Sequence, residues 1–432
     1  MTKPWIRLDN AAKIFPSVRS DRMTHFFRLA VRTDATVDPL VLTEALHAVL
    51  PRFPSFQFQL KPGFFWHSLV EENSLPPVFP ETPSPCQSFR RKVRPRHLFR
   101  VRWFRNRIAV EFGHALTDGM GGLTFLRALV AEYLVRMGHP ASNPDEDPTD
   151  VRRLRSVPDP SESRDEFQNL YDPTFPRHRT WDRAWQPRFP LLPKGCYAVT
   201  TGRLALGATL ALAKGQGATL TEFLAATLLA AFQEAFLGLP APARRAQARP
   251  LRLVLPINLR PVFGSKTLRN FFVVVPVEID LRLGTYEFPE ILRKVHHQLQ
   301  AEMDAKLLKK QIVRNLRGEL NPVARILPLP LKNLVLRGVY GAFERQHTAS
   351  LSNLGRAEWP RGLGDRIRDL EFVPPPSPSC RVNVGVVSFG EVLSVTFGNL
   401  SRDPAVERAF FTRLRTQGLA VAIESNRSVL EV

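Results

Sequence analysis

From Ile108 to Met137 the chain passes from a strand-like apolar run into an amphipathic helical pattern. Between them lies Gly113-His114-Ala115-Leu116-Thr117-Asp118-Gly119-Met120-Gly121-Gly122. No other stretch narrows the fold as much. Glycine costs about 1 kcal/mol per helical position relative to alanine, so the glycines at 113, 119, 121 and 122 predict a turn or a close backbone approach there. The helix is predicted over 123–137, with Phe125, Leu126, Leu129, Val130, Tyr133 and Leu134 on its apolar face. Upstream, the runs 98–104 and 108–112 flank the polar Arg105-Asn106-Arg107, the pattern of a β-hairpin.

The same alternation continues on both sides. Strands are predicted over 24–33, 56–60, 197–206, 251–258, 271–279, 349–354, 369–373, 380–389 and 392–398, the last two joined by a turn at Phe389-Gly390-Glu391. Asp38-Pro39 starts a helix with a capping carboxylate and a proline at the first helical position. Thr219 or Thr221 caps a second helix. A single long amphipathic helix is predicted over 288–316, and others over 327–340 and 404–419. The fold class is therefore α/β (α+β). At 432 residues the chain suits two domains of roughly 200 residues each. The proline-rich, charge-mixed stretch 139–190 reads as a partly mobile crossover linker. The expected division is a first subdomain over 1–180 and a second over 191–432.

A net charge of +20 favours anionic partners, namely nucleic acid, an acidic membrane surface, an acidic carrier protein or a phosphorylated cofactor. The densest basic run is Arg90, Arg91, Lys92, Arg94 and Arg96, followed by Arg100, Arg102, Arg105 and Arg107. No recognition helix, finger spacing or RNA-binding motif accompanies it, so nucleic acid is not expected. Cys86, Cys196 and Cys380 lie far apart without a CxxC pair, which argues against disulfides and structural zinc and for free buried thiols. No run reaches the roughly 20 uninterrupted apolar residues of a membrane span, and the first residues contain no apolar signal core. A soluble, cytoplasmic protein is the expectation.

The chemistry concentrates at His114. A neutral imidazole at a strand-to-helix junction can project into a cleft and act as a general base near neutral pH. His296-His297 falls in a charged helix and reads as helix surface, and His25, His47, His67, His97, His178 and His347 have no second motif nearby.

His114-Ala115-Leu116-Thr117-Asp118-Gly119 resembles the HxxxDG signature of the CoA-dependent acyltransferase superfamily, which includes chloramphenicol acetyltransferase, the condensation domains of nonribosomal peptide synthesis and the plant BAHD enzymes. The resemblance is nearest to stand-alone bacterial alcohol acetyltransferase-like proteins. It extends to Leu8-Asp9-Asn10-Ala11-Ala12-Lys13-Ile14, Pro256-Ile257-Asn258-Leu259-Arg260-Pro261, Leu268-Arg269-Asn270-Phe271-Phe272 and Leu351-Ser352-Asn353-Leu354-Gly355, in that order. It implies two chloramphenicol acetyltransferase-like subdomains with the histidine at their interface. It also implies direct transfer of an acyl group, acetyl among the candidates, from acyl-CoA to an alcohol or amine, without metal or acyl-enzyme.

In that reading His114 is the base, Asp118 pairs with Arg260, and Gly119 permits a sharp turn. Ser352, Asn353 or Asn270 would supply the oxyanion donor. Three features depart from parts of the superfamily: Gly113 stands where many relatives have a first histidine, Gln57 stands where condensation domains carry arginine, and no copy of DFGWG is present. Two other readings share the fold: a member that takes its acyl group from an acidic acyl-carrier protein, and a non-catalytic basic binding module.

Overall fold

The computed structural model describes residues 4–88, 96–140, 158–175, 181–360 and 362–430. The basic run at Arg90, Arg91, Lys92 and Arg94, much of the expected crossover linker, and His178 lie outside the described residues.

Two mixed layers carry the molecule. The first holds a five-stranded sheet in the order Ile367–Val373, Phe26–Thr33, Arg107–Gly113, Phe99–Phe104, Val78–Pro80. The second holds a seven-stranded sheet in the order Phe272–Asp280, Pro250–Asn258, Ala349–Ala357, Val382–Phe389, Val392–Asn399, Ala198–Ala205, Ala422–Ser425. A small three-stranded sheet is made by Trp5–Arg7, His67–Glu71 and Phe58–Pro62.

Each large sheet builds its core against a buried helix. In the first layer Gly119–Arg136 packs Phe125, Leu126, Leu129 and Val130, all fully buried, with Phe27, Phe56, Phe99 and Phe112. In the second, Leu220–Leu237 is long and apolar enough to cross a membrane by length and composition, yet 72% of it is buried inside the protein. It is apolar all round because strands and helices surround it. Its start is set by Thr219, which makes a reciprocal capping box with Glu222.

The expected division of the chain is crossed by a strand. Strand Ile367–Val373, from the last third of the sequence, pairs antiparallel with Phe26–Thr33 and forms one edge of the first sheet. Where this strand meets the second sheet, a Cβ at Gly385 would lie 2.1 Å from the Phe372 carbonyl oxygen, so only glycine fits the crossing.

Several elements differ from expectation, each for a local reason. The helix predicted over 288–316 is two helices, Phe288–Glu302 and Ala305–Leu320, because Asp304 caps a new start by accepting from Lys306 N and Leu307 N. Phe56 belongs to a tight turn with Pro54 and Ser55, not to the strand, which begins at Phe58. The described part of the expected mobile linker is packed: Phe167 is buried in the second core, and Glu162 binds Arg52 through both oxygens at 2.6 Å.

Candidate functional site

The imidazole of His114 stands where strand Arg107–Gly113 ends. Its backbone N–H donates to the His25 carbonyl at 2.9 Å, which pins the junction to the neighbouring strand. The ring stacks on Phe15 at 4.8 Å and lies against Phe27 at 5.0 Å and Phe272 at 5.9 Å. Those rings come from both halves of the chain. The residue is half-buried rather than sealed in a core.

Asn270 fixes the orientation of the ring. Its Nδ2 donates to the Asp9 carboxylate (3.1 Å to Oδ2) and to the His114 carbonyl at 2.9 Å. Both partners only accept, so the amide oxygen must face His114 Nδ1, which lies 3.1 Å away. Nδ1 therefore carries the hydrogen, and Nε2 keeps its lone pair for a substrate. The expected oxyanion role of Asn270 is thereby corrected: both amide hydrogens are committed elsewhere. Behind it, Asp9 is fully buried, accepts from Ala12 N at 2.7 Å and faces Arg269 at 3.6 Å. Burial pushes the Asp9 carboxyl above its usual range, against the pull of Arg269 and Asn270.

Burial also holds His114 below the ordinary histidine value, opposed by its hydrogen bond to Asn270 Oδ1 and the charges of Asp118 and Asp9. The ring is accordingly neutral at pH 7. Losing the Asn270 contact removes an influence that raises this pKa. For Asn270→Ala we expect kcat to fall by about 10²-fold, with the acid limb of the kcat/KM–pH profile moving to lower pH. A fall in kcat without that movement would mean that Asn270 serves only the fold.

Asp118 points away from the imidazole. It caps helix Gly119–Arg136, accepting from Met120 N at 3.2 Å and Gly121 N at 3.0 Å. Both its oxygens also take Arg260, at 3.0 Å each, and Oδ2 accepts from Phe271 N at 2.9 Å. Arg260 spends its remaining donors on the Thr267 and Arg269 carbonyls, both at 2.7 Å, and on Asn258 Oδ1 at 3.1 Å. One carboxylate thus ties helix Gly119–Arg136 of one half to the strap 265–271 of the other.

Of the turn or close approach expected at the motif glycines, the structure has both: Leu116 N donates to the Gly113 carbonyl at 2.8 Å across a turn at 114–116, and the later glycines serve close approach. The helix begins at Gly119 and takes in Gly121 and Gly122 as its first turn, because Asp118 supplies the cap. A Cβ at Gly121 would sit 2.1 Å from the Leu268 carbonyl oxygen, so glycine lets the strap lie directly on the helix. Gly119 likewise meets Leu354, at 2.6 Å from a built Cβ, and its value is close approach rather than a sharp bend.

Ser352 and Asn353 separate. Asn353 Nδ2 donates to Thr221 Oγ1 at 3.0 Å and its Oδ1 accepts from Gly355 N at 2.8 Å, so its amide serves the strand and turn. Strand residues alternate faces. Ser352 pairs in register with Gly385, where a Cβ would meet the Phe372 carbonyl, so Ser352 lies on the face toward the first layer, half-buried and with no side-chain hydrogen bond among the described residues.

Sequence reading gave no role to Asp9, Phe15, Phe27 or Phe272. Asp9 and Asn270 are 261 positions apart, and no local pattern links them. His296 is also less plain than a surface residue, since its Nδ1 lies 3.1 Å from the buried capping residue Glu222. Among the described residues no group of three or more His, Cys, Asp or Glu could hold a metal ion.

Asp165 lies near Asp9, and burial, with the Asp9 charge second, pushes its carboxyl up to about 6. A raised carboxyl pKa means the folded protein holds the proton more tightly. Stability from this group is full below pH 3.8 and is lost as pH rises through about 6. Asparagine can keep the cap that Asp165 provides to Phe167 N. Asp165→Asn is therefore expected to stabilise by about 1–2 kcal/mol at pH 7.5 and to match the parent near pH 4, as read by denaturant melts at both values.

A cavity of about 340 Å³ opens between residues 184–188, 246–249 and 378–381. Arg188, Arg249, Arg345 and Arg381 line it beside Trp185, with no carboxylate among the lining residues.

No family model matches the chain. An uncharacterized protein of Mycobacterium tuberculosis (strain H37Rv) is 26% identical over 308 residues, spanning 68% of this chain and 67% of its own length. Among solved structures, Fusarium graminearum TRI101 complexed with ethyl coenzyme A superposes with a TM-score of 0.64 at 11% identity, over 97% of this chain and 99% of that one. The nonribosomal peptide synthetase FmoA3 matches with a TM-score of 0.58 at 15% identity, over 96% of this chain but only 42% of that one.

Proposed function

We propose, from the CoA-dependent acyltransferase and condensation-domain fold that this chain has, that it transfers an acyl group from acyl-CoA to an alcohol or amine with His114 as the general base. The observation that carries the reading is the Asn270–His114 contact, which leaves Nε2 unprotonated in a half-buried aromatic setting.

In this mechanism Nε2 takes the proton of the acceptor hydroxyl or amine as its heteroatom attacks the thioester carbonyl. The tetrahedral intermediate collapses with loss of the CoA thiolate, which recovers the proton from the imidazolium. Phe15, Phe27 and Phe272 exclude water and hold the ring between the two substrates. Developing negative charge on the carbonyl oxygen needs a donor, and Ser352 is the remaining candidate because Asn353 and Asn270 are engaged. Asp118, Gly119 and Arg260 act on geometry: they set the helix and strap between which the imidazole stands.

The arginine-lined cavity suits phosphate groups. A carrier-dependent reaction is the second reading, favoured by the FmoA3 likeness; the cavity lies at the Pro250 end of strand Pro250–Asn258, away from the Asn258 end that meets the site. The test is thiol release from acyl-CoA donors of graded chain length, each with alcohols and amines. Turnover with free CoA thioesters supports the first reading; turnover only from acyl-carrier protein supports the second. Release no faster than with His114→Ala across both donor types sinks both.

A further inference from the structure

Helix Leu329–Glu344 is built inside out. Its lysine, Lys332, is 2% exposed, donates to the Phe65 carbonyl at 2.8 Å and sits over the Trp66 ring. Its large aliphatic residues face outward instead: Leu334 is 67% exposed, Val339 56%, and Leu331 and Val335 55% each. Positions 331, 334, 335 and 339 form one stripe along the helix. The stripe continues onto neighbouring elements. Ile326 precedes it at 71% exposure, and Phe64 and Phe65 at a hairpin tip lie beside its start, where Leu329 N donates to the Phe64 carbonyl. An aliphatic and aromatic patch of this extent is unusual on a soluble surface.

Charge says what covers it. From Ala305 to Arg345, leaving out the buried Lys332 and Glu344, the chain carries eight lysines and arginines against one glutamate. Exposed apolar side chains flanked by cations on a helix lying along the surface form the pattern that seats in the headgroup region of an anionic bilayer. An acidic carrier protein would meet the cations but has no use for a leucine–valine stripe.

The location matters as much as the composition. The inner side of the same helix faces the catalytic region: Tyr340 stands edge-on to His25 at 5.5 Å, His25 packs on Phe15 at 5.0 Å, and Phe15 stacks on His114. Asn333 and Arg337 bind Ser17 in the short helix that carries Phe15. Tyr340, His25 and Phe15 in succession connect the inner side of this helix to the imidazole.

We infer that this face docks on an anionic lipid bilayer and that the acceptor presented to His114 is a membrane-borne lipid alcohol. The second half of this inference rests on the acyltransferase reading; the docking itself does not.

The test uses the full chain and vesicles of phosphatidylcholine mixed with phosphatidylglycerol, read by co-sedimentation. The wild type is expected to sediment with these vesicles, and Leu334→Glu/Val335→Glu to bind about ten-fold more weakly or less while melting like the wild type. Leu283→Glu, an exposed leucine in another element, should bind as the wild type does. His114→Ala should bind fully while losing turnover, which separates docking from catalysis. With hexadecanol carried in the vesicles as acceptor, the double variant should lose turnover in proportion to its binding, while a short soluble alcohol reacts equally well with both proteins. The docking proposal is overturned if the wild type stays in the supernatant, if Leu283→Glu weakens binding equally, or if the wild type is a dimer that the double variant converts to monomer. Equal turnover of vesicle-borne hexadecanol by wild type and double variant overturns the substrate assignment alone.

Discussion

Replacing His114 with alanine is expected to lower kcat for acyl transfer by about 10²–10⁴-fold while leaving KM for the thioester within a few-fold. The reason is that Nε2 is the only basic atom that Asn270 orients, and the surrounding rings bind without reacting. The loss should persist across the pH range, since no second base takes over. His25 is the nearest alternative, but burial, with the charges of His114 and Arg19, pulls its pKa down to about 3, and a ring so weakly basic is a poor proton acceptor. Single-turnover measurements with a chromogenic thiol trap give the rate directly. A variant retaining more than about a tenth of the wild-type rate would remove His114 from the chemistry.

Arg260→Ala is expected to be the most destabilising of the substitutions considered, by about 3–5 kcal/mol. The guanidinium is shared between both Asp118 oxygens and the Thr267 and Arg269 carbonyls, so its removal leaves a buried carboxylate facing only N–H groups. Lysine should rescue little, because one ammonium cannot reach the partners that the planar fork reaches at once. Urea melts followed by Trp fluorescence report the loss. Because the strap sits against the motif helix, Arg260→Lys should also lower kcat more than it raises KM. A melt unchanged from the wild type would show that the Asp118–Arg260 pair carries no strain of the seam.

Much of this architecture was legible in the amino-acid order. Asp38-Pro39, Thr219 with Glu222, and Phe389-Gly390-Glu391 each settle an element boundary through local chemistry, and each element starts or turns where they place it. The Asp118–Arg260 contact was legible from resemblance, and the geometry agrees. What escaped depends on contacts far apart in sequence. The four motif glycines suggested a turn or a close backbone approach, because glycine's helical penalty is visible locally, but the Leu268 carbonyl that is approached is not. At Asn270, nothing nearby in sequence shows that the amide hydrogens go to Asp9 and to the His114 carbonyl. The outward stripe on helix Leu329–Glu344 escaped for a related reason. Its periodicity predicts a helix but does not reveal which side meets the core.

Strand Ile367–Val373 has a consequence for how the protein comes into being. On the ribosome, the first sheet is missing an edge until the chain has been made as far as Val373, some 340 residues after Thr33. Until then Phe26–Thr33, an apolar strand, offers open N–H and carbonyl groups to any passing β-segment. Fragments cut between the halves would inherit the same exposed margin and tend to clump, so the two halves mature together as a single cooperative object.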